Sequence, residues 1–198
     1  PGNTNDASQN RWLANLSGKF RFHGVSSHAA AAPERGREAL DGVQVMNVAT
    51  EFLREHVPDG TRIHYVITDG GKAPNVVPDF AEVYYYVRSV DPDVARDVWT
   101  RVQKAAEGAA IATGTTQEME VVGGTYSMLP NDTLGKVVDR NLRSIGGAAL
   151  SPQETEFATR MRTSFPQDKL APLAEYSQIR PYKLGGITYA SSDVSDVS

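Results

Sequence analysis

Between Lys19 and Val25 apolar and polar residues alternate, with Phe20 and Phe22 on one side of an extended chain and Lys19, Arg21 and His23 on the other. A period of two marks a half-buried strand, and this segment is predicted as the first of four. Beyond Pro33 the period changes. Val45, Val48, Ala49, Phe52 and Leu53 recur at helical spacing, which predicts a helix from about Glu34 to His56, ended by the turn chemistry of Pro58-Asp59-Gly60. A second strand, Arg62 to Thr68, carries Ile63, Tyr65 and Ile67 on one face. Asp69-Gly70-Gly71 breaks it, and Pro74 and Pro78 keep Asn75-Val76-Val77 extended, because proline disfavours helix in the residue before it. The third strand, Ala81 to Arg88, sets Ala81, Val83, Tyr85 and Val87 against Glu82, Tyr84, Tyr86 and Arg88. Asp91-Pro92 then opens a helix with the stripe Ala95, Val98, Trp99, Val102 and Ala106. Gly114 closes it, and Gln117 to Val122 alternates as the fourth strand.

The order strand, helix, strand, strand, helix, strand predicts an α+β fold of the ferredoxin-like βαββαβ kind, a four-stranded antiparallel sheet with two helices on one face. Residues 1–17 read as a polar linker, 18–126 as this domain and 127–198 as a helical C-terminal segment that looks like part of a larger neighbour. In that segment Leu134, Val137, Val138, Leu142 and Ile145 form a stripe closed by Gly146-Gly147, and Ser151-Pro152-Gln153-Glu154 is a capping box for a helix to about Thr163. Phe165 to Ile187 holds no sustained period. Pro1 follows no initiator Met or signal pattern, and both ends read as cut from a longer product.

Composition narrows the function classes. In 198 residues, 20 Lys and Arg stand against 24 Asp and Glu, a net charge of -4, which argues against a nucleic-acid partner. No apolar run approaches the roughly 20 residues a bilayer requires, so no membrane span is expected. The absence of cysteine removes disulfides, thiolate metal sites and cysteine nucleophiles, and favours a cytoplasmic setting. Tyr84, Tyr86, Phe20 and Phe22 invite comparison with an RNA-binding sheet, but the acidic balance and the lack of a Lys/Arg-Gly-Phe signature oppose it.

Four histidines are candidates for chemistry. His23 and His64 sit on the polar faces of strands, and His56 closes a helix, where a cation suits the dipole. His28 lies in the loop Ser26-Ser27-His28-Ala29-Ala30, free to reach a ligand. Neither His-x-x-x-His nor His-Glu-x-x-His spacing occurs, and no metal site is expected in this segment. Asp193 and Asp196 suit a cation or a helix cap, with capping the simpler use.

The motifs Gly24-Val25-Ser26-Ser27-His28-Ala29-Ala30-Ala31-Ala32-Pro33, Gly36 through Ala39-Leu40, Gly70-Gly71, Pro74-Asn75-Val76-Val77-Pro78 and Tyr86-Val87-Arg88 resemble the dimerisation (lid) domain of the dinuclear-metal exopeptidases and amidohydrolases. Gly36-Arg37-Glu38-Ala39-Leu40-Asp41, Phe52-Leu53-Arg54-Glu55-His56 and the closing Ser191 to Ser198 are similar to the branch that cleaves aminobenzoyl-glutamate. The resemblance implies a homodimer acting on a small amide substrate, with two divalent metals, zinc or manganese, held by other parts of the parent enzyme and activating water. It implies that His28 donates in trans to the oxyanion, that Asn75 binds substrate polar groups and that Arg88 clamps a substrate carboxylate. It also implies that residues 127–198 are a partial C-terminal segment of an α/β catalytic domain, and the segment by itself is expected to be inactive. The rival expectation, from a different class, is a stand-alone dimerisation or ligand-binding module.

Overall fold

The structure, a computed structural model, describes residues 5–166 and 170–198. The chain divides into two compact units, one of residues 12–128 with 188–198, the other of residues up to 11 with 129–187. The first unit is built on the sheet β2 (Ala14–His23), β3 (Arg62–Asp69), β4 (Phe80–Ser89) and β5 (Thr116–Thr125), with helices α1 (Ala39–Leu53) and α2 (Pro92–Thr113). Spatial order is β3-β4-β2-β5 and every pairing is antiparallel, the ferredoxin-like arrangement expected from the pattern.

Alternation decides which face the helices cover. Phe20 and Phe22 of β2 and Ala81, Val83, Tyr85 and Val87 of β4 are buried against Val43 and Met46 of α1 and Val98, Trp99 and Val102 of α2. Phe20 meets Tyr85 edge-on at 5.8 Å and Trp99 at 5.6 Å between ring centroids. Helix α2 begins as expected, with the Asp91 carboxylate accepting from the Asp93 N–H (2.8 Å) and Pro92 in the first turn. It ends at Gly114, whose φ of 66° favours glycine.

Three expectations from the pattern are corrected. The first strand starts at Ala14, well before Lys19, and Gln9–Trp12 is a short strand, β1, so residues 9–17 are not a linker. Polar side chains there belong to a two-sided sheet and carry no loop signal. The first α-helix begins at Ala39, because Val25 and Arg37 exchange backbone hydrogen bonds (2.8 and 2.9 Å) and hold that stretch extended; Pro33–Arg35 is only a 3-10 turn. Of the predicted stripe of α1 only Leu53 is buried, and Ala49 is exposed. Val45, Val48 and Phe52 are exposed, whereas Ala39, Gly42, Val43, Met46, Asn47, Thr50 and Leu53 face the sheet. Phe20 and Phe22 do not share a face with Tyr84 and Tyr86, a further argument against an RNA-binding sheet.

In the second unit β1 pairs with β6 (Leu184–Thr188), beside α3 (Asp132–Ile145) and α4 (Pro152–Arg162). Asn131 caps α3 through the Leu134 N–H (3.0 Å), and the expected capping box of Ser151 and Glu154 is present on α4. Leu134, Val138 and Ile145 of α3 and Phe157 and Met161 of α4 are exposed. Of the stretch expected to be irregular, residues 167–169 lie outside the described residues. Among the described residues no helix is long and apolar enough to cross a membrane.

Gly42 is the closest approach of α1 to the sheet: a Cβ there would collide with the ring of Phe22. Alanine would gain about 1 kcal/mol of helix propensity, yet overpacking of about 1–3 kcal/mol opposes it. Gly42→Ala is expected to lower the urea midpoint of unfolding, while Gly108→Ala, with open space at its Cβ in the exposed part of α2, is expected to raise it.

Candidate functional site

The two segments carrying His28 and Asn75 are brought together by backbone pairing. His28 and Val76 form an antiparallel bridge, the Ala29 N–H donates to the Asn75 carbonyl (3.0 Å) and the Val77 N–H to the Ser27 carbonyl (3.0 Å). Gly24 makes this turn possible at the end of β2, since a Cβ there would strike the Arg37 carbonyl. The loop is also tied to β4, because the Gly24 N–H donates to Asp79 (2.8 Å) and the Ala39 N–H to Pro78 (2.8 Å). Both side chains stay exposed, beside a cleft lined by Ala29, Leu40, Lys72, Pro74 and Val76.

The His28 ring is oriented by its own loop. Its Nδ1 accepts from the backbone N–H groups of Ala30 (3.2 Å) and Ala31 (3.1 Å). A nitrogen that accepts carries no proton, so the neutral ring holds its proton on Nε2 and presents a donor. That is the tautomer a developing oxyanion requires.

Arg88 is not part of this cluster. The register sets His23 opposite Phe80, at the His28 end, and Asn15 opposite Arg88 at the other. From Phe80 to Arg88 the strand rise gives a separation of roughly 27 Å, longer than a small amide substrate. Around Arg88 the open face of the sheet carries a cluster that sequence reasoning missed. Arg62 of β3 lies directly opposite Arg88, with Asn15 of β2 on its other side and Thr125 of β5 beyond that. The Arg88 guanidinium lies over the Tyr86 ring (5.3 Å) and that of Arg62 over Tyr189 (5.5 Å). His64, opposite Tyr86, is held below the usual histidine range by its partial burial and then by Arg88, Arg54 and Arg62. In the linear pattern Asn15 belongs to a linker and Arg62 to an ordinary strand start; only the cross-strand register reveals that they join Arg88.

The middle of the open face is an ion network. Glu82 is 9% exposed and accepts from Lys19 (3.0 Å), Arg21 (2.7 Å) and Thr68 (2.7 Å), while Arg21 also reaches Glu120. Of the remaining candidates, His23 is exposed beside Glu118 (3.5 Å), and His56 ends the 3-10 turn after α1. Asp196 accepts from the Tyr126 N–H (2.8 Å), and Asp193 opens a short 3-10 turn capped by Ser192. Among the described residues no group of three or more His, Cys, Asp or Glu could hold a metal ion. The dinuclear centre implied by the resemblance therefore finds no ligand set in them.

Residues 14–113 match the family described as "Peptidase dimerisation domain" (M20). The chain is 40% identical over 155 residues to one subunit of p-aminobenzoyl-glutamate hydrolase of Escherichia coli (strain K12), covering 78% of this chain and 32% of that protein. It is 31% identical over 127 residues to Xaa-Arg dipeptidase of Mus musculus, covering 64% and 30%. The chain thus spans about a third of the length of these curated relatives. Among solved structures, an aminobenzoyl-glutamate utilization protein from Klebsiella pneumoniae superposes with a TM-score of 0.59 at 18% identity, over 93% of this chain and 48% of that one. A hydantoinase/carbamoylase family amidase from Burkholderia vietnamiensis gives 0.64 at 16%, over 97% and 39%. Both share the fold.

Glu82 supplies a pH test of the open face. Burial alone would raise its pKa, but the hydrogen bonds from Thr68, Lys19 and Arg21 outweigh it and hold the carboxyl down to about 2, against 4.5 ordinarily. A depressed carboxylate contributes stability that is full above about pH 4.5 and disappears as pH falls toward about 2. Glu82→Gln is expected to cost about 1.5–3 kcal/mol at pH 7 and to flatten the acid limb of urea unfolding measured between about pH 5 and pH 2.5. An unchanged acid limb would remove Glu82 from the account.

Proposed function

We propose, because the chain belongs to the M20 peptidase dimerisation-domain family, that it is the dimerising lid and adjoining segment of a cytoplasmic, metal-dependent amidohydrolase. The reaction is hydrolysis of the amide of an N-acyl or N-aroyl amino acid, of the kind named by p-aminobenzoyl-glutamate hydrolase among its relatives. Metal ions supply activated water in such chemistry. In this reading other residues of the enzyme hold the metals, and this segment alone is inactive. What this chain contributes is a donor, a polar contact and a cation, from His28, Asn75 and Arg88.

The observation that carries the reading is His28, exposed on a backbone-braced loop whose N–H groups donate to its Nδ1 and leave Nε2 facing outward as the donor. His28 Nε2–H donates to the carbonyl oxygen as it gains charge, an interaction strongest in the transition state. Asn75, bridged to the same loop, holds a polar group of the substrate. Arg88 holds a carboxylate, but from the far end of the sheet, so one protomer cannot offer both ends to one substrate.

A two-fold dimer resolves this. Strand β3 is a sheet edge with Val66 and Ile67 exposed, and α1 carries exposed Val45, Val48 and Phe52. An edge strand pairing with its own copy about a two-fold axis runs antiparallel. The Asp69 end of one β3, which lies at the His28 end of its sheet, then sits beside the Arg62 end of the partner's β3. One substrate meets His28 and Asn75 from one protomer and Arg88 from the other.

The test is complementation in the full-length enzyme. His28→Ala should lower kcat about 100-fold or more with little change in KM, the size of a lost oxyanion donor; Arg88→Ala should chiefly raise KM. Mixed dimers of the two variants, assayed well below KM, should recover roughly a quarter of wild-type turnover, since about half are heterodimers with one intact site. Heterodimers that form without recovery would defeat the division of the site between protomers.

A further inference from the structure

The row Thr125, Asn15, Arg88 and Arg62 crosses all four strands at one end of the open face. Two cations directly opposite on neighbouring strands repel each other, an arrangement that destabilises a sheet unless something of opposite charge compensates it. Among the described residues neither Arg62 nor Arg88 forms an ion pair. The row is unsatisfied in a second way. Thr125 Oγ1, Asn15 Oδ1 and Arg88 Nε are all shielded from solvent and make no hydrogen bond within the protein. Buried polar atoms are normally partnered, so three orphans in adjacent cross-strand positions mark a place where a ligand supplies the partners.

We infer that this row is a recognition site for a dicarboxylate, the acidic amino acid portion of the substrate, with Arg62 as the determinant of its second carboxylate. The inference rests on the assignment of Arg88 as a carboxylate clamp. Each guanidinium is braced on a separate ring, Arg88 on Tyr86 and Arg62 on Tyr189, and Arg62 Nη1 also donates to the Thr61 carbonyl (2.9 Å), which fixes two charges at separate points and leaves Nε and Nη2 of Arg62 for an anion. Two fixed guanidiniums suit two carboxylates joined by a short chain. Asn15 and Thr125 add an amide and a hydroxyl able to donate to an anion and to accept from an adjacent N–H. The net charge of -4 disfavours the phosphate backbone of a nucleic acid as occupant.

The test uses the 198-residue chain and three probes: N-acetylglutamate, N-acetylglutamine and inorganic phosphate, titrated with amide resonances as readout. N-acetylglutamate should shift residues of the row and bind about tenfold more tightly than N-acetylglutamine, the worth of one charge-assisted contact. Arg62→Gln should abolish that preference while leaving N-acetylglutamine binding within about twofold, and Arg62→Lys should restore part of it, since lysine keeps the charge and loses the planar fork. Equal affinity for the two amides, equal affinity for phosphate, or no saturation by about 50 mM N-acetylglutamate would overturn the proposal. So would an Arg62→Gln chain that keeps its preference. Arg62 is exposed, and an unchanged unfolding curve establishes that each variant is folded. A preference that Arg62→Gln leaves unchanged, with intact complementation of His28 and Arg88, removes Arg62 from recognition and leaves the composite site; a preference that depends on Arg62, with failed complementation, does the reverse.

Discussion

The pairing of β2 with β4 holds one register from Ala14 opposite Ser89 to His23 opposite Phe80, and the rest of the first unit depends on it. Because side chains alternate, that register sends Phe20, Phe22, Val83 and Tyr85 to the helices and Lys19, Arg21, Glu82, Tyr86 and Arg88 to the open face. A slip by one residue would exchange the two sets, burying the ion network and exposing the core. Core and site are therefore specified together. The Glu82 network makes the polar face cooperative, since its carboxylate ties Lys19 and Arg21 of β2 to Thr68 of β3 across β4.

The same register gives the sheet two chemically different ends. At one, proline-stiffened and glycine-permitted loops fold onto each other and present the His28 donor. At the other, Arg62 and Arg88 lie over aromatic rings and have no acidic partner among the described residues. Neither end makes a complete site, and a rigid sheet holds them apart. An antiparallel pairing of two copies is the simplest operation that would join unlike ends, and under the proposed dimer the edge β3 and the exposed stripe of α1 have a role beyond adhesion.

Much of this was legible in the sequence. Period-two alternation located the strands around Phe20, Ile63, Val83 and Met119, and the Asp91-Pro92 and Ser151 to Glu154 signals began their helices. The loop position of His28 and the proline bracket around Asn75 were visible too, but not their mutual bridge. Other features were hidden for identifiable reasons. Helix α1 has two apolar stripes, and pattern alone favours the larger side chains Val45, Val48 and Phe52; close packing of Gly42 on Phe22 selects the other. Asn15, Thr125 and Arg62 stand far from Arg88 in sequence, and nothing local distinguishes them. Strand pairing, which sequence periodicity does not supply, puts them in one row.

The division of the site between protomers is most directly measured by distance. The chain has no cysteine of its own, so spin labels can be placed at Ala30→Cys, beside His28, and at Val90→Cys, beyond Arg88. Within one chain, the doubly labelled variant should give a separation of roughly 30 Å or more from the strand rise. Mixing the two singly labelled chains should give a distinctly shorter distance between protomers. Dimers whose distance between protomers equals or exceeds that within one chain would contradict the antiparallel joining of the two ends.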